Sequence, residues 1–177
     1  MKKTIIDFES QFWAGYRKYN CLQLIDEFFK IDNVSAVKNY LFLVMDYSGK
    51  NKVLMVEDPS VIFYFYLSLR SFLRASYLLQ LKKKKLKLNE APESGSYLLL
   101  GVLSDEEYNN PLLVFQKAFK EFTLNEFENF LTTIIYFSMG AYSDDSQENM
   151  VTPFIHILKM LDAAQMIRER RIEETKY

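Results

Sequence analysis

The sequence predicts an all-α protein, an irregular bundle of five to seven helices around a long central helix at about 59–85. Apolar residues make up 49% of the 177 residues, which is enough to build a core. Only 5 Gly and 4 Pro occur, whereas sandwiches and barrels need turn residues every ~8 to 12 positions. Apolar residues also recur at helical spacing behind capping residues. We therefore expect one helical domain spanning 1–177.

The N-terminal third contains two segments that the sequence leaves open. Residues 5–30 predict either one long helix or two helices broken at Gly15 or Asn20. Residues 34–47 favour a helix that begins after Asn33, because one arc of that helix would be apolar. The alternative is a minor β-hairpin at 41–56, with strands at 41–45 and 53–56 and a turn at 48–51.

The central helix is predicted from Asp58 and Pro59, which supply a capping oxygen and a favoured first helical residue. Its most hydrophobic part, 61–81, has the length of a membrane span. Arg70 and Arg74 lie near the middle of that stretch, where each would cost ~2.5–3.5 kcal/mol on insertion scales. We therefore expect a buried helix and no membrane span.

Three more helices are predicted in the C-terminal half of the chain. Asn110-Pro111 and Thr152-Pro153 each precede an apolar-periodic run, which predicts helices at 111–121 and 153–172. Thr123 and Glu126 form a capping box that opens a helix to about 138. Residues 87–96 are rich in Gly, Pro, Ser and Asn, so we expect a mobile, linker-like segment there.

Charge and cysteine content bound the possible partners and the compartment. The 22 Lys and Arg nearly balance the 23 Asp and Glu, so the whole molecule has no strong field for nucleic acid or an anionic membrane. Cys21 is the only cysteine, so no internal disulfide can form. The first residues reach Asp7 and Glu9 before an apolar signal-peptide region develops. We expect a cytoplasmic protein.

Catalytic and metal-binding patterns are scarce, so we expect a non-enzymatic protein without a cofactor. His156 is the only histidine, and a boundary position on its helix is a simpler interpretation than catalysis. Cys21 has no neighbouring cation to activate it, which is typical of a core residue. The sequence lacks His pairs, Cys pairs and glycine-rich nucleotide motifs.

A lysine run after the central helix supports one alternative function. It comprises Lys82, Lys83, Lys84, Lys85 and Lys87. Cations near a helix C-terminus complement the macrodipole, which explains part of the run structurally. The functional interpretation is a nucleic-acid-associated protein that contacts phosphates here, although no aromatic residues are interleaved with the charge.

Arg70 and Arg74 support a second alternative, a small anionic-ligand binder. They stand four residues apart on an otherwise apolar helix, on a stripe shared with Tyr66 and Tyr77. Buried arginines require partners, so ion pairs with acids of a packed helix are the structural interpretation. A pocket for an anion, with guanidinium donors and tyrosines around it, is the functional one.

The leading hypothesis is a protein-interaction or regulatory module that self-associates as a homodimer or binds another protein. The 15 Phe and 12 Tyr exceed what one small core hides easily, and Tyr is enriched at interfaces. Residues 121–158 contain six acids and no Lys or Arg. A local acidic face of this kind favours a basic partner or a neighbouring subunit.

Overall fold

The chain is described from a computed structural model, in which residues 8–15, 18–50, 53–55, 58–81, 86–90, 102–140 and 149–172 are placed. These described residues hold eight helices and no strand, which confirms the all-α prediction. The number exceeds the expected five to seven because two of the helices have only four and five residues. The helices are α1 (Ser10–Trp13), α2 (Cys21–Ile31), α3 (Val34–Ser48), α4 (Pro59–Gln80), α5 (Asp105–Asn109), α6 (Leu112–Glu121), α7 (Leu124–Ser138) and α8 (Val151–Arg170).

The N-terminal segment is broken at both positions that the sequence indicated. Gly15 follows α1 with φ +74°, a left-handed conformation that favours glycine. Asn20 is the N-cap of α2, where its side-chain oxygen accepts hydrogen bonds from the N–H groups of Leu22 and Gln23, at 3.0 and 3.1 Å. Of the two alternatives for residues 5–30, the prediction of two helices is therefore correct and that of one long helix is wrong.

Helix α3 settles the choice between a helix and a hairpin, and the hairpin at 41–56 is wrong. The side chain of Asn33 caps α3 by accepting a hydrogen bond from the N–H of Ala36 at 2.9 Å. Val37, Leu41 and Val44 are buried at helical spacing, where α3 packs against α7 and α8. Burial along one helical face outweighs the β propensity of the same residues, since propensity is a weak prior against tertiary packing.

Helix α4 lies at the centre of the bundle, in contact with α1, α2, α6 and α7. The Asp58 side chain caps its first turn by accepting from the N–H of Ser60 at 2.8 Å. The helix ends at Gln80, and residues 82–85 of the predicted 59–85 helix lie outside the described residues. Among the described residues, no helix is long and apolar enough to cross a membrane.

The C-terminal helices lie within two residues of their predicted bounds. The predicted capping box of Thr123 and Glu126 is present at the start of α7. Helix α5 was not predicted, although Ser104 and Glu107 form a capping box at its start as well. A helix of only five residues has too little apolar periodicity to be recognised by that criterion.

The end of α8 binds the start of the linker-like segment. Leu88 pairs with Arg171 in an isolated antiparallel bridge. The guanidinium of Arg170, only 9% exposed, donates to the carbonyl oxygens of Tyr108 at 2.8 Å and Asn89 at 3.1 Å. Residues 87–89 of the predicted 87–96 segment are therefore paired with residues 170–172 at the end of α8, and 91–96 lie outside the described residues.

Candidate binding groove

An open cavity of about 940 Å³ lies between α1, α2, α3 and α4 and is called here the apolar groove. Because these helices meet at angles, their side chains leave a channel along one side of the bundle. The groove is lined by Phe12, Trp13, Phe28, Ile31, Asp32, Ala36, Val37, Asn39, Tyr40, Leu43, Ser60, Val61, Tyr64, Phe65 and Ser68.

The walls of the groove expose large apolar side chains from all four helices. On α4, Val61 is 47% exposed and Tyr64 is 50% exposed. Phe12, Ile31 and Leu43 continue this surface from α1, α2 and α3, with exposed fractions of 55%, 57% and 40%. Scattered exposed apolar residues are normal, but a contiguous set lining a cavity indicates a binding surface.

The floor of the groove belongs to the core. Phe28 and Val37 are buried, and the rings of Tyr40 and Phe65 are in edge contact with centroids 4.6 Å apart. Phe28 also packs on Phe72, which is fully buried in the centre of the bundle. The floor is therefore preorganised, since core side chains are held by their neighbours.

Charged groups at the groove are few, and those described are acidic. Asp32, which directly follows α2, is the only charged residue among the described lining residues. Asp58 lies beside the lining residue Ser60, whose backbone N–H donates to it and holds the pKa of Asp58 below its usual value. The carboxylate of Asp58 therefore carries negative charge at neutral pH.

The hydroxyl of Tyr40 is buried and has no hydrogen-bond partner among the described residues. Burial raises the pKa of Tyr40, so its phenol remains neutral. An unsatisfied buried hydroxyl costs about 1–3 kcal/mol. The groove thus combines exposed apolar walls with a floor that contains one buried hydroxyl without a hydrogen-bond partner in the described part of the chain.

Helix α1 forms one wall and is attached to α4 by polar side chains. The indole N–H of Trp13 donates to Ser71 Oγ at 3.0 Å, and its ring is in edge contact with Phe28. Glu9, at the N-cap position of α1, binds two arginines of α4. These contacts hold Phe12 and Trp13 at the edge of the groove.

The guanidinium groups of Arg70 and Arg74 each form ion pairs with two carboxylates, those of Glu9 and Glu128. Arg70 Nη1 lies 2.7 Å from Glu9 Oε1, and Arg70 Nη2 lies 2.9 Å from Glu128 Oε2. Arg74 Nη1 lies 2.5 Å from Glu9 Oε2, and Arg74 Nε lies 2.6 Å from Glu128 Oε1. We call these four residues the ion cluster; it ties α1, α4 and α7 together.

Charge attraction within the ion cluster outweighs the cost of burial. Burial opposes the charged form of Glu128, but hydrogen bonds and charge from Arg74 and Arg70 hold its pKa below the usual range. Burial likewise opposes charging of Arg74, yet Glu128 and Glu9 raise its pKa. Glu128 and Arg74 therefore remain charged at neutral pH.

The ion cluster corresponds to the structural interpretation of the two arginines, ion pairs with acids of packed elements. Tyr66 lies near Arg70, with its ring centroid 6.0 Å from Cζ, and its hydroxyl is 3.2 Å from Thr132 Oγ1. Tyr77 packs instead on Phe119. An anionic ligand would have to compete with two carboxylates for the guanidinium donors.

The lysine run is described only at its last member. Lys87 is exposed, and its carbonyl oxygen accepts from the N–H of Ile172 at 3.1 Å. Lys82, Lys83, Lys84 and Lys85 lie outside the described residues. Phosphate binding by this run stays a prediction.

A second cavity, of about 550 Å³, surrounds the single histidine. His156 Nε2 lies 2.8 Å from Glu121 Oε2, and Lys159 Nζ lies 2.8 Å from Glu107 Oε2. Glu107 is buried, and Lys117 approaches the same carboxylate at 3.4 Å. Since acids and lysines alternate around this cavity, the arrangement is typical of a network that joins α5, α6 and α8.

Neither the single cysteine nor the acidic residues form a reactive or metal-binding site among the described residues. Cys21 is buried in the main core, as the sequence indicated. Among the described residues, no three His, Cys, Asp or Glu side chains are grouped closely enough to hold a metal ion.

Sequence reasoning missed the apolar groove, although one signal for it was present. Residues 59–69 contain no charged side chain, and a helix that is apolar all round is normally buried. In the structure Val61, Phe63 and Tyr64 of this stretch are exposed. The contrast between apolar composition and actual exposure is visible only in three dimensions.

Comparisons with protein-family models, with curated proteins and with solved structures found no match. Functional inference therefore depends on the geometry and chemistry of the groove itself.

Proposed function

We propose that this chain is a non-enzymatic interaction module that binds a partner protein in the apolar groove. The observation that carries the proposal is the continuous exposure of large apolar side chains from four helices around one cavity. Burying such side chains yields about 25 cal/mol per Å² of apolar surface. A partner that covers the groove gains this free energy without first rearranging its floor.

The chemistry of the lining residues supports binding over catalysis. The described titratable groups that line the groove are Asp32 and the tyrosines Tyr40 and Tyr64. Tyr40 stays neutral because burial raises its pKa, and Asp32 is exposed. Aromatic and aliphatic anchors, by contrast, dominate the binding energy of protein interfaces.

The proposal also includes a cytoplasmic location and self-association as a homodimer. The location is supported by Cys21, the only cysteine, which is buried and unlinked. Self-association is supported by Tyr136, which lies outside the groove and is 62% exposed.

Site-specific photo-crosslinking in cells that make the protein tests the proposed function. A photoreactive amino acid placed at Val61 faces the groove, and the same residue at Val151 is a control because Val151 is exposed but does not line it. We expect a discrete protein adduct from position 61 that Tyr64→Glu abolishes and that position 151 does not give. The adduct partner, once purified, should bind the chain directly.

Equal adducts from both positions would contradict the proposal, as would the absence of any protein adduct from position 61. An adduct of a small molecule alone would assign the groove to a ligand of another class.

A further inference from the structure

We propose that the groove binds an amphipathic helix of a partner protein, with an apolar face of about two turns and a Lys or Arg beside Asp32. This inference rests on the proposed function, because it names the kind of partner that the groove fits.

The backbone of the walls favours a helical occupant. Three of the walls are sides of the longer helices α2, α3 and α4, whose interior N–H and C=O groups are already bonded within each helix. The groove therefore offers no row of main-chain partners like that of a strand edge. An extended segment would bury unpaired backbone groups there, whereas a helix satisfies its own.

The dimensions of the groove match a short stretch of helix. Along α4 the lining residues run from Ser60 to Ser68, a rise of about 12 Å. Along α3 they run from Ala36 to Leu43, about 10 Å. Two helical turns rise about 11 Å, so the contact accommodates apolar side chains from about two turns of the occupant.

The charge at the groove selects a basic occupant. Asp32 and Asp58 are exposed carboxylates at the edge, and none of the described lining residues is Lys or Arg. The nearby Lys30 is paired with Glu27 at 2.7 Å. A cation at one end of the bound helix would face this negative edge, and an acidic helix would be repelled.

Two other occupants fit these features less well. A fatty acid would bring a carboxylate to an edge that carries two carboxylates and no lysine or arginine among its described lining residues. A second copy of this chain would have to present a helix that is both apolar and basic. Residues 59–69 of α4, of which Val61, Phe63 and Tyr64 are exposed, contain no charged side chain and so lack the required cation.

A peptide selection on the full chain tests the inference. A displayed library of randomised peptides of about 14 residues, about four helical turns, is selected for binding. Trp13 is the only tryptophan and lines the groove, so its fluorescence reports binding of synthetic peptides without tryptophan. We expect the selected sequences to share apolar residues at i, i+3 or i+4, and i+7, with Lys or Arg at one end.

Matched variants separate the contributions of charge and apolar contact. Asp32→Asn should weaken peptide binding by about three- to fivefold at low salt and less at high salt, while Asp105→Asn on α5 should leave it unchanged. Tyr64→Glu should weaken binding by about tenfold or more, whereas Tyr136→Glu should not, because Tyr136 is also exposed but lies on α7 outside the groove.

Several outcomes would overturn the inference while leaving the proposed function in place. The first is a set of selected peptides that lack helical periodicity or are acidic. The second is a partner that crosslinks at Val61 through an extended or acidic segment.

Displacement of the peptides by sodium oleate would point to a lipid occupant. A chain dimer that Tyr64→Glu dissociates would point to a second copy. The proposed function itself would be removed by equal adducts from positions 61 and 151, or by the absence of any protein adduct at position 61.

Discussion

A carboxylate with no solvent-exposed surface lies where α3 and α8 meet. Both oxygens of Asp162 accept hydrogen bonds from Lys38 Nζ, at 2.8 and 2.9 Å. Burial raises the pKa of Asp162, and the hydrogen bond and charge of Lys38 oppose that rise without cancelling it. A pair of this kind is costly to break, because one charge would remain buried without a partner.

Removal of Lys38 should therefore destabilise the fold. We expect Lys38→Met to lower the free energy of unfolding at pH 7 by about 2–3 kcal/mol, measured by urea denaturation. Adding Asp162→Asn should recover part of the loss, since it removes the uncompensated charge. Lys30→Met is the control; its ion pair with Glu27 is exposed, and we expect a change below about 0.5 kcal/mol.

The same variant has a defined pH dependence. A carboxyl whose pKa is raised by folding stabilises the protein at low pH, and this contribution is lost as the pH rises through the folded-state pKa. The destabilisation of Lys38→Met should therefore be smaller near pH 4 than at pH 7. If Lys38→Met lowers the free energy of unfolding equally at pH 4 and pH 7, Asp162 is not the charge that the substitution leaves without a partner.

At the scale of elements, helix α1 is the wall of the groove that has the fewest packing contacts with the rest of the bundle. It has four residues, and its main packing partner is α4. Its attachment depends on Glu9 in the ion cluster and on Trp13, bonded to Ser71. Local unfolding concentrates in elements with few buried contacts, so α1 is expected to open before the other walls.

Substitution of Glu9 should loosen α1 and leave the bundle folded. We expect Glu9→Gln to speed hydrogen exchange of the α1 amides while α2–α4 keep their protection, and to weaken peptide binding by about fivefold. Glu27→Gln is the control, because Glu27 pairs with Lys30 outside the ion cluster. Unchanged exchange in α1 would mean that Trp13 alone holds this wall.

How much of the structure the sequence predicts also differs from element to element. The capping residues Asn33, Asp58 and Thr123 gave the starts of α3, α4 and α7 correctly, because the cap is a local hydrogen bond between near neighbours in sequence. The ion pairs of Arg70 were anticipated as a class, but their partners Glu9 and Glu128 were not. Pairing over about 60 positions depends on helix packing, which no local pattern encodes.

At the scale of the whole molecule, the groove could not be predicted from the sequence because it too depends on how the helices pack. Its lining residues come from four helices, and each helix taken alone resembles an ordinary core element. Whether Val61 or Tyr64 is buried depends on the angles at which α1, α3 and α4 meet. Residue type predicts the apolar character of the groove, and only the fold shows that it is uncovered.

Self-association is the prediction that concerns the whole molecule. We expect the chain to be dimeric at micromolar concentration through a surface outside the groove, where Tyr136 and Met139 offer exposed apolar area. Sedimentation velocity across a range of concentrations should show a species of twice the chain mass. A single species of monomer mass at high concentration would refute the dimer.

The central claim, that the apolar groove is the surface which binds a partner, is tested most directly by nuclear magnetic resonance. A selected basic helical peptide is added to the isotope-labelled full chain, and shift changes are mapped onto the structure. The account predicts that the largest changes fall on the methyl groups of Ile31, Leu43 and Val61 around the groove. Changes centred on the cavity at His156, or spread evenly over the bundle, would contradict it.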